Sequence, residues 1–327
     1  CTDATTDANV WTNVGAGTGN VDPIIPFGGT TSGYCHGGHQ AGNHSYDRID
    51  KWAFASSANF TATDVGNLRF AGRMDMSSHS SGTNGFVVGG GIAYTATTNV
   101  DKYSHTTDSD AVSHGDLDVT RPGHVAGCSD MGAQYGHSVG ASNTPQNGTK
   151  SKYSFVSNTT GTSSGSLVQA CQNQAGASSQ THGYAAGGHA TGGASSFTSI
   201  QKFAFATDTA SEVYSGVLTR SRGSTGCSSS THGFAVGSYA VSAPTGYSSR
   251  IDKFSFASEA DATTVGELTT GIQGNASCSS IDHGWSMGGQ PPATTDRIDK
   301  FAFASQGNAT DIGNLSLARV YAGGTQV

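Results

Sequence analysis

Two scarce residue types recur along this chain with one shared period. The sequence contains seven leucines, and six of them are separated by 49, 50, 51, 50 and 47 residues. It also contains seven lysines, and six of these are separated by 51, 50, 50, 51 and 47 residues. The periodic residues are Leu68, Leu117, Leu167, Leu218, Leu268 and Leu315, with Lys51, Lys102, Lys152, Lys202, Lys253 and Lys300. Because two residue types keep the same spacing, the sequence predicts six copies of one structural unit.

Each copy contains four short segments of strand length, separated by residues that favour turns. Clear examples of the four segments are residues 226–229, 182–188, 49–54 and 65–68. In the third segment successive side chains alternate between two faces of a strand, so Asp50, Trp52 and Phe54 share one face and Ile49, Lys51 and Ala53 share the other. Four strands within a repeat of this length are typical of one blade of a β-propeller.

The composition favours short strands joined by tight turns and excludes several other classes. Glycine is abundant, with 47 residues, whereas charged residues make up only 12% of the chain. The 3 Trp, 11 Tyr and 14 Phe argue against a disordered chain, and the scarcity of leucine argues against a helix bundle. No apolar run is long enough for a transmembrane helix. With 16 basic and 23 acidic residues, a nucleic-acid-binding face is not expected.

The order of segments resembles the kelch repeat from about residue 28 to residue 327. An Arg precedes a Ser-rich inner strand, followed by an aromatic-x-x-Gly-Gly strand, a third strand and a short outer strand. The outer strand carries Leu where kelch repeats carry Trp, and the inner strand is Ser-rich where kelch strands are aliphatic. Residues 298–301 and 308–315, and the opening at residues 11–20, are similar to kelch-like structural proteins of marine bacteriophages, especially tail-fibre proteins. The resemblance implies an all-β, six-bladed kelch-like β-propeller with four-stranded blades.

The ends of the repeat region predict how such a ring closes. The sixth copy ends at Leu315, and the chain continues into Arg319–Gly324, which reads as the inner strand of a seventh copy. The first copy begins with its second strand, near Tyr34. We therefore expect the C-terminal strand, including Tyr321, to complete the first blade and remove free sheet edges. The propeller is expected to span residues 29–327, and residues 1–28 to form an N-terminal linker or docking segment.

Residues present in every copy are expected to be scaffold, because a single active site uses residues that differ between copies. The six periodic lysines should pair with nearby carboxylates such as Asp50 or Asp64. The third-strand aromatic residues should pack between blades, and the equivalent His182, His232 and His283 should occupy a hydrogen-bonding turn. The equivalent Cys128, Cys227 and Cys278 are expected as free thiols; a disulfide between neighbours is the alternative. Cys1 is either a processed N-terminus, such as a lipidated cysteine, or a boundary within a longer chain.

Two groups of residues break the repeat and are candidate sites. Cys35, His36, His39, His44 and Asp47 form a cluster whose histidines are candidate zinc or copper ligands, with a solvated polar loop as the alternative. The longest stretch between second and third strands is residues 238–250, which contains Tyr239 and Tyr247. Asn143 lies in the most divergent such stretch. We expect these last three residues to contact a receptor, because aromatic rings stack on sugars; drift in a surface loop is the alternative.

Seven Asn-x-Ser/Thr sequons are candidate glycosylation sites, although a chain this rich in Asn, Ser and Thr contains many by composition. They are Asn43, Asn59, Asn147, Asn158, Asn275, Asn308 and Asn314.

These features favour a non-enzymatic, extracellular recognition protein. No catalytic set and no cofactor-binding motif can be assembled from the sequence, so we expect neither an enzyme nor a cofactor. The resemblance implies a phage virion appendage, a tail-fibre or decoration component. We expect it to bind a host surface glycan or protein, to contact other virion subunits through residues 1–28, and to form a homo-oligomer without nucleic acid. The alternatives are a subunit of a secreted cellular filament or surface coat, and a secreted carbohydrate-active enzyme.

Overall fold

The computed structural model describes residues 28–40, 44–92, 95–123, 125–142, 148–190, 196–219, 225–240, 246–290 and 293–327. These residues form β-strands and turns, so the expectation of an all-β chain is confirmed. In the described part of the chain there is no helix of the length and hydropathy needed to cross a bilayer.

Most strands belong to six antiparallel sheets arranged in a propeller-like manner, numbered here in chain order. In each sheet we number the strands outward from an innermost first strand. Sheet 1 contains Gly323–Gln326, Ser32–His36, Arg48–Ala53 and Thr63–Asn67. Sheet 2 contains Ser77–Ser80, Asn84–Val88, Asn99–Ser104 and Val112–Asp116. Sheet 3 contains Ala126–Asp130, Tyr135–Val139, Thr149–Ser154 and Thr162–Ser166.

The remaining three sheets follow the same order. Sheet 4 contains Ala175–Ser178, His182–Ala186, Ser199–Ala204 and Glu212–Val217. Sheet 5 contains Thr225–Ser228, His232–Ala240, Gly246–Ser255 and Thr263–Glu267. Sheet 6 contains Ala276–Ser279, His283–Met287, Arg297–Ala302 and Thr310–Asn314, and the short strand Phe60–Thr61 pairs with its outer edge in parallel. Small sheets also form from His39–Gln40 with His44–Ser45, and from Arg73–Met74, Gly91–Ile92 and Thr95–Ala96.

The C-terminal strand pairs with the second strand of sheet 1, as expected, but it begins later than predicted. Thr325, and not Tyr321, lies opposite Tyr34. Tyr321 has a φ of 57°, and a residue in this left-handed conformation cannot continue an extended strand. Val320 forms an isolated antiparallel bridge with His39, the chain bends at Tyr321, and the strand starts at Gly323.

A glycine on each second strand lies opposite an aromatic residue on the third strand. In sheet 5, Gly233 pairs with Phe254, and a Cβ on Gly233 would lie 2.2 Å from the Phe254 ring. The same pairing joins Gly33 to Trp52 and Gly284 to Phe301. The ring covers the glycine, so only glycine allows this close approach.

Apolar residues fill the spaces between successive sheets. Six buried clusters each join two neighbouring sheets, and one of them joins sheet 6 to sheet 1 through Trp285 and Trp52. The third-strand aromatics belong to these clusters, which confirms their expected packing role. The described cysteines Cys35, Cys128, Cys171, Cys227 and Cys278 are buried free thiols. Burial raises the pKa of the Cys128 thiol to about 12, so this thiol is protonated and unreactive at neutral pH.

Two of the periodic lysines, Lys51 and Lys152, pair differently from the expectation. Lys51 donates to Asp108 at 2.8 Å, and Lys152 bonds Asp208 in the same way, so each lysine reaches the following sheet and not Asp50 or Asp64. Asp50 is instead fully buried against Arg319, with 2.8 Å between its Oδ2 and the guanidinium. The prediction from sequence was wrong about the partners because it considered only carboxylates close in the chain.

Candidate functional site

Two groups of connections meet at one end of the sheets. Antiparallel strands alternate in direction, so the connections from second to third strands and from outermost strands to the next innermost strand emerge together. We call this end the 2–3 face; it contains the connections around His39, Gly90, Gly140, Gly188, Gly237 and Gly289. Hydrogen bonds join the two groups, as when Gly90 N donates to Arg121 O at 2.8 Å.

In sheet 5 the second and third strands continue into the 2–3 face as one uninterrupted hairpin, whereas in sheets 1 and 2 the corresponding connections form separate two-residue ladders. Its second and third strands have 9 and 10 residues, compared with 5 and 6 in each of the other five sheets. The register shifts at Gly237, whose φ is 65°, so a β-bulge bends the hairpin. A Cβ on Gly237 would lie 2.9 Å from Ile272, which shows that the base of the hairpin packs on the next connection. The sequence predicted a long loop here, whereas the structure forms a continued hairpin.

The hairpin brings the two candidate tyrosines together. Tyr239 and Tyr247 are directly opposite each other in the ladder, with ring centroids 5.4 Å apart and an interplanar angle of 64°. Tyr247 is 39% exposed, and Tyr239 is half-buried. Such an edge-to-face pair holds both rings rigidly at low entropy cost. Asn143, the third candidate contact, lies outside the described residues.

The candidate metal ligands lie in different environments. His36 is fully buried, and its Nδ1 and Nε2 lie 3.1 Å from Tyr103 Oη and 2.9 Å from Ser78 Oγ. Burial, helped by Arg73 and Arg319, lowers the pKa of His36 to about 3, so the ring is neutral. His39 is stacked on Tyr321 at 5.6 Å, and nothing is described of the His44 side chain.

Metal binding therefore stays a prediction, and it would require the hydroxyl contacts of His36 to break. Within the described ranges, no three or more His, Cys, Asp or Glu side chains are grouped so that they could hold a metal ion.

The described sequons differ in accessibility. Asn59, Asn158, Asn308 and Asn314 are exposed. Asn275 is 6% exposed, and its amide nitrogen donates to Ser286 Oγ at 2.8 Å, so a glycan there would disrupt the packing. Asn43 and Asn147 lie outside the described residues.

The innermost strands of all six sheets surround two cavities that share a narrow neck. The neck consists of one residue from each innermost strand: Ser78, Gly127, Gly176, Gly226, Ser277 and Gly324. A Cβ on Gly226 would lie 2.2 Å from Gly176 O, so the strands approach more closely than a larger side chain would allow. The narrow space therefore explains why the innermost strands carry small residues where kelch strands carry aliphatic ones.

The first cavity, of about 260 Å³, lies at the end opposite the 2–3 face. It is lined by a set of serines, Ser80, Ser129, Ser178, Ser228 and Ser279. In sheets 2 to 5 the backbone N–H at this position donates to the serine of the next sheet, as from Ser178 N to Ser228 Oγ at 2.9 Å. The same contact joins the C-terminal strand to sheet 2, from Gln326 N to Ser80 Oγ at 3.0 Å. We call this space the serine cavity, and its hydroxyls link successive sheets.

The second cavity, of about 140 Å³, lies at the centre of the 2–3 face and was missed by the sequence analysis. Its lining includes Asp75, Asn173, Gln174, Asn275 and Tyr321. We call it the amide cavity. The signal that could have found it is a repeat position, two residues before each innermost strand, at which the residue type changes from copy to copy.

A buried lysine also departs from the repeat. Lys150 takes a position occupied by Ile or Val in the other copies, and it is 1% exposed. Its Nζ donates to Thr209 O at 2.8 Å and lies 4.2 Å from the centre of the Phe203 ring. Burial lowers the pKa of Lys150 to about 8. Because this amine is enclosed, it stabilises the contact between sheets 3 and 4 and is not presented to a substrate.

Comparison of the sequence with known protein families finds no matching family model, and comparison with curated proteins finds no matching relative.

Proposed function

We propose that this chain is a six-bladed, kelch-like β-propeller, closed by its C-terminal strand, that acts as a receptor-binding component of a phage virion appendage. Closure is supported by the pairing of Gly323–Gln326 with Ser32–His36 and by the apolar cluster between sheets 6 and 1. The virion role is supported by the resemblance of residues 298–301 and 308–315 to phage tail-fibre repeats. On this proposal the protein is extracellular and non-enzymatic, and it binds a host surface glycan or protein.

The observation that carries the receptor-binding role is the extended hairpin of sheet 5. Packing within a repeat gives no reason for one copy to lengthen two strands by four residues each. The continued hairpin presents Tyr239 and Tyr247 as an aromatic pair at the 2–3 face. Aromatic side chains of this kind give large contact area in recognition surfaces.

The two opposite ends of the sheets suit two different roles, which are attachment to other subunits and recognition of the host. Gly29 N donates to Ser279 O at 2.8 Å, and Gly28 and Gly29 line the serine cavity. Gly28, the last residue of the N-terminal segment 1–28, therefore lies at the end opposite the Tyr239–Tyr247 pair. We propose that this segment contacts other subunits of a homo-oligomeric appendage while the 2–3 face meets the host.

Binding of the purified protein to an array of bacterial surface polysaccharides and outer-membrane proteins tests this function. The double variant Tyr239→Ser/Tyr247→Ser should keep the wild-type melting temperature within a few degrees and lose binding. Tyr239→Phe/Tyr247→Phe keeps the rings and should retain most binding, and Val213→Ser, at an exposed residue on the outer strand of sheet 4, should not change it. Full binding by the serine double variant would contradict the proposed role of the hairpin.

A further inference from the structure

We propose that the 2–3 face binds a neutral glycan chain along a row of aromatic rings that runs from sheet 5 to sheet 1. This inference rests on the receptor-binding function proposed above. It names the class of ligand and adds a second contact region beyond the tyrosine hairpin. The rings belong to Tyr239, Tyr247, Tyr321, His39 and Tyr46, and we call them the aromatic band.

The connection from sheet 5 to sheet 6 joins the tyrosine hairpin to the centre of the face. A Cβ on Gly271 would lie 2.7 Å from Tyr247 O and 3.3 Å from Tyr247 Cβ, so this connection lies directly against the hairpin. Three positions later, Gly274 O accepts from Tyr321 N at 2.7 Å, and a Cβ on Gly274 would lie 2.8 Å from Cε1 of the Tyr321 ring. Because three residues span at most about 11 Å, one short connection separates Tyr247 from the Tyr321 ring.

From the centre of the face the aromatic band continues into sheet 1. The Tyr321 ring is stacked on His39, with ring centroids 5.6 Å apart and an interplanar angle of 22°. The next residue, Gln40, accepts a hydrogen bond from Tyr46 Oη at 2.7 Å, which fixes the position of that ring. Tyr321, His39 and Tyr46 are each partly exposed. The band therefore presents rings at three successive places: the hairpin of sheet 5, the centre of the face and sheet 1.

The turn that carries Tyr321 does not require an aromatic ring. Gly274 occupies the equivalent position in sheet 6, with a φ of 63° compared with 57° for Tyr321. Glycine adopts this left-handed conformation without strain, whereas a bulky residue in it is a rare exception. The fold would thus be served equally well by glycine at this position. Retention of a strained tyrosine, in contact with a second exposed ring, supports a role in binding.

The spacing of the rings suits a chain of sugars better than a single sugar. A tyrosine presents a large flat apolar area with a hydroxyl at its edge, and it loses little entropy when a ligand binds. The C–H groups on one face of a sugar ring pack on such a surface, while the sugar hydroxyls exchange hydrogen bonds with the tyrosine hydroxyl. Because rings recur along the aromatic band, successive units of one glycan chain can each contact a ring.

The charges beside the aromatic band favour a neutral glycan over an acidic one. Arg48 and Arg319 flank the band, and each is paired with a carboxylate, at 3.1 Å and 2.8 Å. Arg250 has a hydroxyl partner instead of a carboxylate among the described residues. Asp75, whose N–H donates to Tyr321 O at 3.0 Å, places a carboxylate in the amide cavity beside the central ring. With a formal net charge of −7, the chain repels an acidic polymer.

Binding of the full chain to immobilised polysaccharides tests the proposal. The probes are mannan, galactan, laminarin and dextran, each compared with its carboxymethylated form, which keeps the same backbone and adds negative charge. At least one neutral polymer should bind more tightly than its carboxymethylated form. Oligomers released from that polymer should compete at least about a hundredfold better than its free monosaccharide, because linked contacts act at a high effective concentration.

Two variants copy residues that the chain already uses at equivalent positions. Tyr321→Gly copies Gly274, and Tyr46→Thr copies Thr97, whose N–H makes the equivalent backbone hydrogen bond. Each variant should weaken binding of the neutral polymer by about tenfold. Tyr321→Gly should also melt at or above the wild-type temperature, because it relieves an unfavourable φ. A purely structural role for this ring would instead lower the melting temperature and leave binding unchanged in the folded protein.

Tyr135→Asn is the matched control for removal of a ring. Tyr135 lies at the end opposite the 2–3 face and is partly exposed, and Asn84 is its equivalent in sheet 2. This variant should fold and bind the neutral polymer as the wild type does. A melting curve for each variant separates lost binding from lost folding.

Three results would overturn the inference: no binding to any of the four neutral polymers, tighter binding to the carboxymethylated forms, or binding that neither Tyr321→Gly nor Tyr46→Thr weakens. The proposed receptor function fails separately, because it predicts lost array binding for the Tyr239→Ser/Tyr247→Ser variant. Array binding to a protein that depends on Tyr239 and Tyr247 but not on Tyr321 would leave that function standing and refute the glycan chain.

Discussion

Four histidines buried between sheets should make this fold sensitive to acid. His36, His79, His105 and His137 are between 0% and 5% exposed. Burial is the main cause that lowers the pKa of His36, His105 and His137 to about 3, and that of His79 to about 4. The ordinary histidine pKa is about 6.5. The unfolded chain therefore takes up protons below about pH 6.5 that the folded chain does not accept until about pH 3–4.

The sign of the effect follows from this difference. Between about pH 6.5 and pH 3–4 the unfolded state binds more protons, so the free energy of unfolding falls as the pH falls. At pH 5 each of these histidines lowers the free energy of unfolding by about 2 kcal/mol relative to pH 8, and the four together lower it by about 8 kcal/mol. A domain of ordinary stability has about 5–15 kcal/mol in total. We therefore expect the folded protein to be only marginally stable near pH 5.

His137→Phe isolates one of these contributions. His137 takes a position that Phe86 and Phe234 occupy in other copies, and both its ring nitrogens are buried without a partner among the described residues. Its ring already stacks on Phe205 at 5.1 Å, so phenylalanine fits the same contact. The variant should gain about 1 kcal/mol or more at pH 7, where it removes unpaired polar atoms. At pH 5 it should gain about 2 kcal/mol beyond that.

Urea unfolding at pH 7 and pH 5, followed by tryptophan fluorescence, measures both gains, because Trp52 and Trp285 are buried. His182→Asn is the matched control: Asn84 is its equivalent in sheet 2, and His182 is partly exposed at the start of the second strand of sheet 4. This control should change the pH dependence much less. If His137→Phe loses as much stability between pH 7 and pH 5 as the wild type does, burial of His137 is not a source of the acid sensitivity.

Three further predictions concern the stability of the sheets and of the contacts between them. Deleting residues 317–327 should abolish the cooperative melting of the whole chain, because the first strand of sheet 1 is lost; a retained sharp calorimetric transition would contradict this. In urea unfolding, Arg319→Met should cost about 3–5 kcal/mol, since it leaves a buried carboxylate unpaired, whereas Lys51→Met, in a partly exposed pair, should cost less than about 1 kcal/mol. Equal losses would refute that ranking. Gly226→Ala should greatly reduce the yield of folded protein, and Gly82→Ala, with nothing within 4 Å of the added Cβ, should melt as the wild type does.

The strand order was readable from the sequence because six copies repeat the same four segments, so local ambiguity in one copy is resolved by the others. The start of the C-terminal strand was not readable, because tyrosine rarely adopts the left-handed conformation that Tyr321 has. The partner of Lys51 was also missed, since Asp108 lies 57 positions away in the next sheet. Such a pair depends on how sheets pack together, and the repeat pattern carries no direct information about that.

A residue that departs from the repeat either changes the packing between sheets or changes a surface that a ligand could reach. Its exposure to a cavity or to solvent distinguishes the two cases. His137 and Lys150 break the pattern, but each is enclosed between sheets, where the change alters stability. Asn173 and Tyr247 also break the pattern, and these residues line a cavity or reach solvent at the 2–3 face. The amide cavity escaped the sequence analysis because Asn173 and Asn275 are a hundred residues apart and meet only when sheets 4 and 6 surround the same space. A recognition residue is thus expected to meet two conditions. It departs from the repeat, which the sequence shows, and it is accessible to a ligand, which only the structure shows.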